Sequence, residues 1–115
     1  MSNDCLFCRI IAGDIPSNKV YEDEHVLAFH DISPAAPTHI LLIPKKHLAA
    51  VKDATPADTG LLGELMFRAA EVARQQGLEE AGYRIVVNTG GHGGQTVFHL
   101  HLHILGGRTL GWPPG

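Results

Sequence analysis

Residues 98–105 read Phe-His-Leu-His-Leu-His-Ile-Leu, with histidine and aliphatic positions in strict alternation from His99 to Ile104. A period of two is the period of an extended strand, whose successive side chains point to opposite faces. His99, His101 and His103 therefore share one face, and Leu100, Leu102 and Ile104 share the other. The aliphatic face belongs to a core; the imidazole face lines something else. Same-face neighbours lie about 6.6 Å apart along a strand, so two imidazoles can meet through a shared ligand, while convergence of all three on one ion is difficult. Three readings of that face stand open. It is a solvated strand face, a His-x-His metal pair of the kind that takes zinc, copper, nickel or iron, or a nucleophile toward phosphorus held in register by its neighbours.

The rest of the chain predicts the setting for that strand. Leu6 to Ala12 forms a short helix stopped by Gly13, and Ile15-Pro16-Ser17-Asn18 turns the chain. Val20 to Glu22 and Val26 to His30 pair as a hairpin across Asp23-Glu24, and Asp31 to Pro37 is loop because of its two prolines. His39 to Ile43, bounded by Pro37 and Pro44, is a buried strand. One long helix opens with Thr55 as N-cap, Pro56 at its first position and Asp58 in its first turn, and closes at Gly77. Its apolar stripe is Leu61, Leu62, Leu65, Met66, Ala69, Val72 and Ala73. Tyr83 to Asn88 and Phe98 to Leu105 are the last strands. Runs of strands with one packed helix give an α+β fold with an antiparallel sheet of about five strands. At 115 residues, 44% of them hydrophobic, residues 1–115 make one domain.

Charge and cysteine usage narrow the function classes. A net charge of −3 leaves no basic footprint for a long nucleic acid, and no apolar run approaches the roughly 20 residues that span a bilayer. The N-terminal residues lack the basic start of a signal peptide, and Cys5 and Cys8 are too close to staple a fold. A reducing cytoplasm, with Cys5-Leu6-Phe7-Cys8 used for metal or redox chemistry, is the expectation; two small buried residues three apart on a helix is the plain alternative.

The segment before the histidines favours phosphorus chemistry. In Asn88-Thr89-Gly90-Gly91-His92-Gly93-Gly94-Gln95-Thr96-Val97 four glycines let the backbone approach a ligand and turn N–H groups toward an anion, and Asn88, Gln95 and Thr96 add polar groups that a mere spacer does not need.

The motifs together resemble the histidine-triad (HIT) superfamily and its Hint branch. The likeness runs through Ala28-Phe29-His30-Asp31-Ile32-Ser33-Pro34, Ala36-Pro37-Thr38-His39, Ile43-Pro44-Lys45-Lys46-His47, Gly93-Gly94-Gln95, His99 to Leu105, Gly106-Gly107-Arg108 and Trp112-Pro113-Pro114-Gly115. The resemblance implies a two-fold homodimer of HIT-like domains that binds purine nucleotides such as AMP and GMP. It also implies hydrolysis of the P–N bond of their phosphoramidates, AMP-lysine among them, through a nucleotidyl-histidine. It places His101 as nucleophile, His103 on the phosphate and His39 behind the triad. Phe29, His30, Asp31 and Ile32 fall at the nucleoside, with Asp31 on the ribose. Asn88, Gly94, Gln95, Thr96 and Val97 fall around the phosphate, and Trp112 reaches a site across the dimer. Neither an organic cofactor nor a catalytic metal is implied. Relatives with a similar Cys-x-x-Cys start imply a structural zinc on Cys5, Cys8, His47 and His99, which would take His99 out of the chemistry. Alternatives are a dinucleoside polyphosphate hydrolase of the same superfamily, a nucleotide-binding regulatory module and a small zinc protein without nucleotide affinity.

Overall fold

The computed structural model describes residues 4–115. Helix α1 (Leu6–Ile11) is followed by strands β1 (Lys19–Glu22), β2 (Val26–His30) and β3 (Thr38–Pro44). After two 3-10 turns come helix α2 (Thr59–Gln75), strand β4 (Arg84–Val86), the four-residue helix α3 (Gly90–Gly93) and strand β5 (Leu102–Gly106). The strands form one antiparallel sheet in the order β1-β2-β3-β5-β4. This is the expected α+β architecture.

The sheet divides the apolar residues by strand parity. Val26, Ala28, Ile40, Leu42, Leu102 and Ile104 face α2 and pack against its Leu65, Ala69, Val72 and Ala73. Leu27, Phe29, Leu41 and Ile43 face the other way and are covered by Phe7 and Ile10 of α1. The helix stripe is narrower than the sequence predicts, because Met66 is 52% exposed and Phe67 beside it 58%. The first turn of the predicted helix is 3-10, with Thr55 and Asp58 forming a capping box, and the regular helix begins at Thr59. Asp58 also takes Lys46 Nζ at 2.7 Å, and that contact, with the Thr55 N–H, holds its carboxyl below the ordinary range.

Both terminal strands are shorter than expected. β4 covers Arg84–Val86 instead of Tyr83 to Asn88, and β5 starts at Leu102, so His99 and His101 precede the ladder. Proline explains the second case. The β3–β5 register runs from Thr38↔Gly106 to Leu42↔Leu102, and continuing it would bring the chain to Pro44, which has no N–H to give. The Leu100 N–H instead donates to the Leu48 carbonyl at 2.6 Å. The alternation of faces survives the loss of the ladder: Leu100 joins the α2-side core while His99 and His101 meet the α1 side.

Candidate active site and metal site

The sheet register lays out the floor of a cleft. On the α1 face Phe29 of β2 stands opposite Leu41 of β3, which stands opposite His103 of β5. Phe29 and Leu41 line a cleft of about 320 Å³ that is walled by Phe7 and Val97 and edged by Asp31 and Ile32. That volume falls at the lower end of the range for small-ligand sites. Its largely apolar lining suits a flat hydrophobic group such as a nucleobase, and Ile32 is 99% exposed at its edge. His30 and Thr96 line the same cleft. Phe7 was not foreseen from the sequence. The signal was available: if Cys5 and Cys8 both turn toward the triad, the residue between them is carried into the site.

Backbone groups assign the tautomer of each imidazole. His101 Nδ1 lies 2.6 Å from the His99 carbonyl, so Nδ1 carries the proton and Nε2 keeps its lone pair. The Ala35 N–H donates to His39 Nδ1 at 2.9 Å, so the proton of His39 sits on Nε2 and is given to His103 Nδ1, also at 2.9 Å. His103 accordingly carries its proton on Nε2, a buried atom with no partner among the described residues. Asp31 Oδ2 stands 3.4 Å from His39 Nε2, and Oδ1 accepts the Ser33 N–H at 2.7 Å. Burial first, then the neighbouring His101 and His39 imidazoles, push His103 down to about 4, with Asp31 pulling the other way. Burial lowers His39 as well, again against Asp31. The resting pair is therefore neutral, and a carboxylate waits to offset any charge it gains.

The glycine-rich segment is less open than its composition suggests. Gly90–Gly93 winds into one helical turn, with Gly90 and Gly94 at φ +73° and +87°, where a side chain is strained. Gln95, 5% exposed, spends its amide inside the protein. Its Oε1 accepts the Gly90 N–H at 2.9 Å, and its Nε2 donates to the Ala49 and Val97 carbonyls at 2.7 and 3.1 Å. Gln95 braces the loop and leaves no amide donor for a ligand. Asn88 lies against that loop, its Nδ2 close to Gly94. Trp112 is 82% exposed on a tail fastened where Arg84 donates to the Gly111 carbonyl at 2.7 Å, and it is not among the residues lining the cleft.

Cys5, Cys8, His47 and His99 come together as expected for a metal, their donor atoms all within 4.8 Å of one another. Cys5 caps α1, Lys46 is tied to Asp58, and the Leu48 carbonyl binds the Leu100 N–H, so three separate segments deliver the four side chains. His99 Nε2 lies 2.8 Å from the Pro44 carbonyl, which fixes its proton there and leaves Nδ1 facing the thiols at 3.3 and 3.5 Å and His47 Nδ1 at 3.1 Å. A tetrahedral zinc with bonds of about 2.3 Å to sulfur and 2.0–2.1 Å to nitrogen spaces its donors by roughly 3.3–3.8 Å. The set fits such an ion with small adjustment. Burial, then Cys5, pushes the Cys8 thiol up to about 11, so binding a metal there must expel protons.

A family model for the HIT domain matches residues 12–110. The chain is 49% identical over 111 residues to the purine nucleoside phosphoramidase of Escherichia coli, covering 96% of this chain and 93% of that protein. The crystal structure of a HIT family hydrolase from Legionella pneumophila superposes with a TM-score of 0.96 at 53% identity, covering 97% of this chain and all of the other. A histidine triad protein from Clostridium difficile gives 0.92 at 44% identity, covering 96% and 97%.

Proposed function

The chain belongs to the HIT family, and on that premise we propose that it is a hydrolase cleaving the P–N bond of purine nucleoside phosphoramidates, of the adenosine 5′-monophosphoramide or AMP-lysine type. The observation that carries the reading is the tautomer assignment: His101 offers a free Nε2 lone pair beside an apolar cleft, while the His39–His103 pair presents a proton on the neighbouring imidazole.

In this mechanism His101 Nε2 attacks the α-phosphorus, and its Nδ1–H bond to the His99 carbonyl strengthens as the ring gains positive charge. The P–N bond breaks as the amine takes a proton from His103 Nε2, the neutral His39–His103 pair having first taken one proton from solvent, its charge offset by Asp31. Water then attacks the nucleotidyl-histidine; its hydroxyl goes to phosphorus, its proton passes to the pair, and AMP or GMP leaves as the pair returns that proton to solvent. A pair held well below the ordinary imidazole range is a strong acid when protonated, which suits a basic leaving group. Asp31, Ile32, Phe29 and His30 at the cleft support binding of the nucleoside, and Thr96 and Val97, which line the same cleft, support a place for the phosphate beside them. Cys5, Cys8, His47 and His99 would hold a structural zinc, which would tie α1 to the segments that carry His47 and His99.

A homodimer in the cytoplasm is part of the proposal. The exposed Met66 and Phe67 on α2, the edge position of β4 and the exposed Trp112 support a second copy, and Cys5 and Cys8 as thiols accord with a reducing compartment. The deciding experiment incubates the protein with adenosine 5′-phosphoramidate, follows AMP release, and looks for an AMP-sized mass adduct that His101→Ala removes. Absence of turnover in the wild type would sink the reading.

A further inference from the structure

Resting on the hydrolase reading, we propose that the metal-binding residues align the nucleophile: Phe7 and the His99 carbonyl transmit the seating of Cys5, Cys8 and His47 to the His101 imidazole, with Phe7 as a positioning residue.

Two physical links connect the sites. The first runs through His99 itself. Its side chain is engaged at both ring nitrogens, Nε2 by the Pro44 carbonyl and Nδ1 by the thiols and His47, while its own carbonyl takes the His101 Nδ1–H at 2.6 Å. One residue therefore carries both a member of the donor set and the tautomer-setting acceptor, and a ring that shifts in one role moves the carbonyl in the other. The second link is the Phe7 ring, which sits in the chain between the two cysteines. It meets His101 edge-on at 5.1 Å and 87°, His99 at 5.9 Å and 67°, and Phe29 of the cleft floor at 5.6 Å and 76°. The six residues of α1 are too few to hold a helix by themselves, so Phe7 keeps its place through tertiary contacts and the two cysteines. Loosening the donor set frees the ring that walls the nucleophile on one side and the carbonyl that orients it on the other. A site that only added stability would leave the His101 tautomer and its rate of attack unchanged in any variant that still folds.

The test uses full-length protein with zinc loaded or chelated. His47→Ala removes an exposed donor without touching the cleft, and Phe7→Leu keeps all four donors while deleting the ring. In zinc-depleted, folded His47→Ala the single-turnover rate of AMP adduct formation is expected to fall by about tenfold to 100-fold, with AMP affinity within about twofold of wild type. The downfield proton signal of His101 Nδ1–H, sharp in the zinc-loaded wild type, is expected to broaden by exchange with water. Zinc-loaded Phe7→Leu should show the same slowing with its zinc content unchanged, and it decides the matter if His47→Ala does not fold. Wild-type adduct rates and an unchanged His101 signal in a folded variant would overturn the coupling. If the wild type forms no adduct at all, the hydrolase reading fails instead, and the His101 signal alone decides the coupling.

Discussion

Replacing Gln95 by glutamate tests the loop brace with almost no change of shape. The substitution keeps Oε1, which accepts the Gly90 N–H, and exchanges the Nε2 donor for an oxygen that faces the carbonyls of Ala49 and Val97. Two hydrogen bonds are lost, at about 1 kcal/mol each, and the buried acceptors left facing one another add about 1–3 kcal/mol. The sum, about 3–5 kcal/mol, is a large part of the 5–15 kcal/mol that holds a typical domain. Urea unfolding at pH 8 should register it, and amide exchange at Gly90 to Gly94 should accelerate beyond that of the β2–β3 ladder. The sign of the pH effect is diagnostic. Facing two carbonyls, the introduced carboxyl has its folded-state pKa raised above about 4.3, because the protonated form can donate to one of them. The variant's deficit is therefore smallest at acid pH and grows as pH rises through the raised value. A deficit below about 0.5 kcal/mol, or one independent of pH, would refute the claim that Gln95 is spent inside the protein.

Three further outcomes follow from the geometry. His103 is held down to about 4 in the folded protein and titrates near 6.5 when unfolded, so the unfolded chain takes its proton first. The stability tied to this group is present above pH 6.5 and is lost as pH falls toward 4, and His103→Asn should flatten that part of a melting-temperature profile. Gly107→Ala should cost about 2–4 kcal/mol in urea unfolding, since φ is +91° and the added Cβ would lie 2.8 Å from the ring of Pro37. Gly106→Ala should cost less, because φ there is not positive and the obstacle is the end of the Leu78 side chain instead of a proline ring. Zinc loading at pH 7 should release about two protons per ion to an indicator dye, as both thiols ionise, and Cys8→Ser should abolish tight binding.

Much of this fold was legible because the decisive patterns are local. The alternation from His99 to Ile104 sorted histidines from aliphatics correctly even where the ladder was absent, since face parity depends on extended backbone and not on pairing. Thr55, Pro56 and Asp58 marked the helix start because a cap is a contact within a few residues. Met66 fell on the predicted stripe and proved exposed: spacing defines an apolar arc, but the sheet decides how wide an arc it covers. Strand ends were misjudged where they depended on a partner, as at Pro44, which lies far from β5 in the chain. Gln95 was legible as a site residue only by type. Gly90 and Val97 are near it in the chain, but Ala49 lies 46 residues away, so no local pattern reveals that its amide is fully committed.

The chemistry of the histidine face rests on three main-chain groups that no side-chain pattern encodes. Three histidines on one face are chemically equivalent until something distinguishes their nitrogens. The Pro44 carbonyl turns His99 so that Nδ1 faces the cysteines. The His99 carbonyl accepts the His101 Nδ1–H, which keeps the proton there and leaves a nucleophilic Nε2, and the Ala35 N–H sends the His39 proton toward His103. Two of these groups flank β3, since Ala35 precedes that strand and Pro44 closes it, and the third belongs to His99, whose ring the Pro44 carbonyl holds. The deciding factor here is therefore geometry: Pro44→Ala would keep the carbonyl, and should leave zinc affinity and His101 reactivity nearly intact so long as β3 stops at the same place. If the freed N–H instead let the β3–β5 ladder extend past Leu42, His99 would be drawn into strand pairing, and zinc affinity and adduct formation would fall together. Titrating zinc and timing the AMP adduct in that one variant thus separates the identity of residue 44 from the strand boundary it enforces, and a fall in only one of the two readouts would refute the shared dependence.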